Sequence, residues 1–74
     1  MTATELASRL SEMYRTARKG EMVTMIHLFG IRYANEIKAC GMSPTDLVKA
    51  AGIPESYGTE VTKGVNLAKY VSER

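Results

Sequence analysis

The sequence predicts an all-α fold, a compact single domain of four or five helices spanning residues 1–74. Apolar residues recur mainly at steps of three and four, which is the spacing of one face of a helix. Capping signals occur before two of the segments, and glycines follow where helices should end. A chain of this length can bury one modest core and often gains stability by pairing with a second copy.

The first predicted helix begins after Thr2 and ends at Gly20. Thr2 and Glu5 form a Thr-x-x-Glu capping box. The apolar face consists of Leu6, Leu10, Met13 and Ala17. Three positive residues crowd the C-terminal turn, where the helix dipole favours positive charge: Arg15, Arg18 and Lys19. The alternative, functional interpretation is that these three residues contact DNA phosphate.

The second segment, Glu21 to Ala39, has a helical pattern that is apolar on more than one side. We expect it to be the central and most buried helix. Its apolar surplus indicates that other helices surround it or that a second chain covers its back, and we predict a homodimer. Gly30 costs about 1 kcal/mol relative to Ala in mid-helix, which indicates either close helix packing or a kink that divides the segment.

The run from Ser43 to Lys63 has the layout of a helix-turn-helix unit. Ser43 is a good N-cap and Pro44 occupies the first helical position. Gly52 then supplies the backbone freedom of a C-terminal cap, and the Ile-Pro pair after it folds back onto the helix and prevents its continuation. A short corner between two short helices is what this motif requires.

This run resembles the helix-turn-helix unit of bacterial and phage regulators. The matching positions are Leu47 and Ala51 of the first helix, Gly52 of the turn, Ile53 after it and Val61 of the recognition helix. The resemblance implies a small DNA-binding protein, a transcriptional regulator that acts in the cytoplasm on double-stranded DNA.

Two positions depart from the family pattern. Val48 replaces the usual small Ala, and Gly58 falls where the family usually has a branched apolar residue that locks the two helices together. Gly58 is instead compatible with a break between a short helix over residues 54–57 and a longer helix that begins at Thr59.

The resemblance also implies a set of DNA-binding residues. Those in the recognition helix are Ser56, Tyr57, Thr59 and Lys63, and those at the end of the first helix are Arg15, Arg18 and Lys19. Ser56 and Thr59 can bond phosphate or base edges, Tyr57 can stack or bond phosphate, and Lys63 can pair with phosphate. Between Ser43 and Thr62, one lysine stands against three acidic residues, so phosphate binding needs the basic residues outside the motif.

The segment after Gly64 permits two interpretations. Its apolar residues step by three and four, which favours a helix to about Val71 over a short strand that would form a wing. The last residues, 72–74, are expected to fray.

A different class of function is also compatible with the motif. The D-L-x-x-x-G-I run that begins at Asp46 is similar to the end of a sterile-alpha-motif domain, a helical module that binds other proteins. An exposed apolar surface around Met25, Leu28 and Tyr57 would favour this alternative.

The remaining residues argue against an enzyme, a cofactor or a metal site. His27 is the only histidine and no motif places a nucleophile beside it. The single cysteine, Cys40, cannot form an internal disulfide and fits a reducing cytoplasm. From this sequence we expect neither a targeting signal nor a segment that spans a membrane.

Overall fold

The computed structural model describes residues 1–71, which form five α-helices and one 3₁₀ turn. In chain order they are α1 (Ala3–Thr16), α2 (Met22–Arg32), α3 (Ala34–Ala39), α4 (Pro44–Ala50), the 3₁₀ turn (Glu55–Tyr57) and α5 (Gly58–Leu67). No strand occurs among these residues, so the predicted all-α fold is confirmed. The expected fraying of residues 72–74 lies outside the described residues.

The capping box of α1 forms as predicted. The Thr2 hydroxyl accepts a hydrogen bond from the Glu5 N–H at 3.1 Å, and the Thr2 N–H donates to Glu5 Oε1 at 2.9 Å. The predicted end at Gly20 is wrong, because Ala17 is already extended (φ −64°, ψ 143°). Gly20, with φ of 85°, instead shapes the turn that leads into α2.

The predicted single helix from Glu21 to Ala39 is divided into α2 and α3, and the division falls at Tyr33 rather than at Gly30. Tyr33 has φ of −111° and ψ of 23°, outside helical values. Its N–H still donates to the Phe29 carbonyl at 3.0 Å, and its own carbonyl accepts from Ile37 at 2.8 Å. The chain therefore bends here while the backbone groups of Tyr33 stay satisfied.

Gly30 and Gly64 mark the place where α2 and α5 cross. A Cβ atom on Gly30 would lie 2.7 Å from the Val61 carbonyl oxygen and 2.8 Å from the Gly64 Cα. A Cβ atom on Gly64 would overlap the His27 carbonyl oxygen. Both glycines thus allow the two backbones to touch, and close packing is the alternative that the structure shows for Gly30.

One cluster of buried side chains draws on every helix. Its fully buried members are Leu6, Leu10, Ile26, Phe29, Leu47, Val48 and Val61. The predicted apolar face of α1 is confirmed through Met13, whereas Ala17 lies beyond the end of the helix. The final helix ends at Leu67, short of the predicted Val71, and residues 68–70 form a turn.

Candidate nucleic-acid interface

The helix-turn-helix corner has the geometry that the sequence predicts. The Ser43 hydroxyl caps α4 by accepting from the Asp46 N–H at 3.1 Å. At the other end, Gly52 adopts φ of 76° and its N–H donates to the Lys49 carbonyl, while the Ile53 N–H donates to the Val48 carbonyl, both at 3.0 Å. This pair of bonds is a Schellman motif, which directs the buried Ile53 side chain back toward α4.

Gly58 holds the two helices of the motif together through backbone contact. It is buried at the start of α5, directly after the 3₁₀ turn, so the predicted break at this position is confirmed. A Cβ atom here would lie 2.8 Å from Thr45 Oγ1 and 2.9 Å from Thr45 Cα. A branched side chain, which the regulator pattern usually has here, would not fit against α4.

The C-terminal end of α1 lies beside the motif. The rings of Tyr14 and Tyr57 meet edge to face with their centroids 5.6 Å apart. Burial, and then the neighbouring Tyr57, raise the pKa of Tyr14. Arg15 lines a shallow groove together with Ala50 and Ala51, where α4 ends. The structure therefore brings Arg15 next to the corner of the motif.

The other predicted DNA-binding residues are distributed as follows. Arg18 and Lys19 are exposed in the loop after α1, and Ser56, Thr59 and Lys63 are exposed on the 3₁₀ turn and α5. Tyr57 is half-buried and packs against Tyr14 and the core.

Two exposed polar residues of α5, Thr62 and Asn66, are absent from the predicted set. With Thr59 and Lys63 they lie within an arc of roughly 100° on the helix surface. The signal was available in the sequence, because a projection of α5 at 3.6 residues per turn puts all four residues opposite Val61.

A hydrogen-bonded triad joins α2 to the exposed side of α5. His27 Nε2 lies 2.7 Å from Glu60 Oε1, and Lys63 Nζ lies 3.4 Å from Glu60 Oε2. The hydrogen bond with His27 is the main reason that the pKa of Glu60 is lowered from its ordinary value, and Lys63 adds to the effect. No local signal in the sequence links these residues, because 33 positions divide His27 from Glu60.

The exposed apolar side chains do not lie where the sterile-alpha-motif alternative would require them. Met25, Leu28 and Tyr57 are partly buried against the core. The exposed large apolar side chains of residues 1–71 are Met1, Met22, Val23, Leu67, Tyr70 and Val71. Tyr70 and Leu67 line a shallow groove with His27, and Tyr70 is 84% exposed.

Two kinds of site are missing from the part of the chain that the structure describes. No group of His, Cys, Asp and Glu side chains is arranged to hold a metal ion there. No helix within residues 1–71 is long and apolar enough to cross a membrane.

Comparison with known proteins gives one match. A family model described as an HTH-like domain matches residues 2–74, nearly the whole chain. No curated protein and no solved structure matches.

Proposed function

The chain belongs to the HTH-like domain family, and on that premise we propose that it binds double-stranded DNA and acts as a small transcriptional regulator in the bacterial cytoplasm. The observation that carries the proposal is the contact between Tyr14 and Tyr57, with ring centroids 5.6 Å apart. This contact supports the proposal because it joins the C-terminal part of α1 to the 3₁₀ turn that precedes α5.

In this proposal α5 is the recognition helix. Ser56 and Thr59 bond phosphate oxygens or base edges at its N-terminal end, where recognition helices contact bases. Arg15, Arg18 and Lys19 pair with phosphates along the neighbouring stretch of backbone. Through its contact with Tyr14, Tyr57 fixes how the start of α5 packs against α1.

Lys63 adds a phosphate contact in spite of its partner on α5. Its ammonium group lies 3.4 Å from Glu60, but its side chain is 57% exposed. An exposed pair of this kind contributes little free energy, so phosphate competes with Glu60 for the lysine.

We also propose that the protein binds DNA as a homodimer. One copy offers few phosphate contacts, since its net charge is only +2. Two copies would double the contacts and would cover the apolar surface around Tyr70. That surface is a protruding aromatic ring next to a groove. A two-fold interface requires such self-complementarity.

The test is fluorescence anisotropy with a labelled random-sequence duplex at about 50 mM and about 200 mM salt. We expect binding that weakens steeply as the salt concentration rises, because each neutralised phosphate releases counterions. The triple variant Arg15→Ala, Arg18→Ala, Lys63→Ala should lose most of the affinity and show a shallower salt dependence.

The matched comparison uses two single variants of α1. Arg15→Ala and Arg9→Ala remove the same charge, but Arg9 lies six residues earlier, about 9 Å along the axis and on a different face. Only Arg15→Ala should weaken binding. Absence of binding at tens of micromolar protein at the lower salt concentration would refute the DNA-binding proposal.

A further inference from the structure

An open cavity lies where α3, α4 and α5 meet, and its volume is about 330 Å³. Within residues 1–71, none of the predicted DNA-binding residues lines it, and it shares no residue with the groove beside Tyr70. A molecule bound here would contact both helices of the helix-turn-helix unit. The lining residues that decide its chemistry are Ile37, Lys38, Met42, Ser43, Thr62 and Val65.

The turn between α3 and α4 forms the rim of the cavity. Gly41 has φ of 83°, a conformation that residues with side chains rarely adopt. The Cys40 N–H donates to the Ile37 carbonyl, and the Met42 N–H donates to the Cys40 Sγ atom, both at 3.4 Å. These bonds fix the backbone of the rim, and small-molecule sites are usually preformed in this way.

The polar groups of the cavity suit a single negative charge. Among the described residues that line it, Lys38 alone is charged, and its ammonium group has no ion pair within residues 1–71. The Ser43 hydroxyl accepts from the Asp46 N–H, which leaves its own proton to donate. The Thr62 hydroxyl already donates to the Gly58 carbonyl. Lys38 and Ser43 therefore supply the side-chain donors of this lining.

The rest of the lining is largely apolar. Ile37 is buried, and Met42 and Val65 are partly buried against the core. The cavity has about twice the volume of one that holds a benzene molecule, so a ligand of roughly ten non-hydrogen atoms fits. One ammonium group and one hydroxyl group are too few for the three acceptor oxygens of a phosphate group. A carboxylate on an apolar body matches the lining better.

We propose that this cavity binds a small monocarboxylate with an apolar body, such as a carboxylic acid of about six to eight carbons. The carboxylate pairs with Lys38 and accepts from the Ser43 hydroxyl. The carbon chain lies between Met42 and Val65, over Ile37. Because Lys38 is exposed and the ligand is small, we expect a dissociation constant of about 1 mM.

The test is an NMR titration of ¹⁵N-labelled protein with straight-chain carboxylates from butanoate to octanoate. The amide signals of Gly41, Met42 and Val65 should shift most. Affinity should rise about fourfold with each added methylene group until the chain fills the cavity. Hexanol, which has the chain of hexanoate without its charge, should bind about two- to fivefold more weakly than hexanoate.

Two variants separate the charged half of the site from the apolar half. Lys38→Gln should lower the affinity for hexanoate about two- to fivefold and leave the affinity for hexanol unchanged. Val65→Thr, which replaces a methyl group by a hydroxyl group, should weaken the binding of both ligands alike. Lys69→Gln removes the same charge from an exposed lysine outside the cavity. It is the matched control and should change neither affinity.

Equal binding of hexanoate and hexanol, or equal effects of Lys38→Gln and Lys69→Gln, would overturn the inference. Shifts centred on Leu67 and Tyr70 would also overturn it, because the ligand would then occupy the other groove. The same holds for an absence of shifts at about 20 mM octanoate, well above the expected dissociation constant. The titration contains no DNA, so each of these results leaves the proposed DNA binding to its own test.

Discussion

His27 Nε2 and Glu60 Oε1 lie 2.7 Å apart and join α2 to α5 at the edge of their crossing. The contact sits beside Gly64, where the backbones of the two helices touch. A tight crossing and a side-chain bond at the same place fix both the distance and the rotation of α5. The exposed face of α5 is therefore set by α2, a helix outside the helix-turn-helix unit.

Gly64→Ala should destabilise the protein, although alanine is the better helix former by about 1 kcal/mol. The added methyl group would overlap the His27 carbonyl oxygen, which belongs to backbone and cannot rotate away. We expect the free energy of unfolding, measured with urea, to fall by about 1–3 kcal/mol. Asn66→Ala, exposed on the same helix, should change it by less than about 0.5 kcal/mol. A stabilised Gly64→Ala variant would contradict the close crossing.

The bond between His27 and Glu60 should make stability depend on acid pH. Because the pKa of Glu60 is held below its ordinary value of 4.5 in the folded state, the ionised carboxylate stabilises the fold. This contribution is complete above that value and is lost as pH falls through the lowered folded pKa. The stability difference between wild type and Glu60→Gln should therefore shrink as pH falls below about 4.5.

Urea titrations of both proteins across this range measure that difference. Glu12→Gln changes an exposed glutamate of α1 and serves as the control, with no comparable pH dependence in its difference from wild type. A Glu60→Gln difference that stayed constant into the acid range would rule out a stabilising role for the bond.

Local signals in the sequence predicted most of the helices, and tertiary contacts decided what the sequence did not predict. The caps at Thr2 and Ser43 and the corner at Gly52 each depend on a few consecutive residues, so their physics can be read directly. The bend at Tyr33 does not follow from any local breaker. Gly58 departs from the regulator pattern, and the reason is its close contact with Thr45, which no local signal in the sequence shows.

The same distinction between local signals and tertiary contacts applies to the candidate site. The position of Arg15 beside Ala50 and Ala51 depends on how α1 packs against α4, which no local signal in the sequence shows. The engagement of Glu60 by His27 could not be expected, since it depends on how α2 and α5 cross. Thr62 and Asn66 are exposed on α5 at positions that a helical projection of the sequence shows.

Ser43→Ala should weaken the first helix of the motif. The hydroxyl group of Ser43 satisfies the Asp46 N–H at 3.1 Å, and loss of such a cap costs about 1 kcal/mol. Urea unfolding measures the change. Ser8→Ala replaces an exposed serine inside α1 and should be neutral or slightly stabilising. Equal effects of the two variants would show that the cap contributes no stability.

Glu55→Gln should strengthen DNA binding. Glu55 is exposed at the start of the 3₁₀ turn and its carboxylate lies 3.8 Å from Lys49. Its removal takes away repulsion of phosphate and releases that lysine. We expect affinity to rise about twofold at about 50 mM salt, the effect of one charge at roughly 8 Å in water. The gain should shrink at about 200 mM salt because of screening. Glu55→Asp keeps the charge and should bind like wild type.

Tyr70→Asp should convert a dimer into a monomer. Tyr70 is 84% exposed beside a groove of about 340 Å³ that His27 and Leu67 help to line, which gives each copy both a protruding ring and a space for one. A single tyrosine buries about 150–250 Å², and two of them supply only part of the roughly 1,600 Å² of a standard interface. We therefore expect a weak dimer, with a dissociation constant in the micromolar range, detected by sedimentation equilibrium without DNA.

A charge placed in the apolar contact should abolish the dimer, whereas Asn35→Asp, which adds the same charge on α3, should not. Wild-type protein that stayed monomeric to millimolar concentration would exclude this interface. DNA would then be bound by a single copy, with half the phosphate contacts and a correspondingly shallower salt dependence.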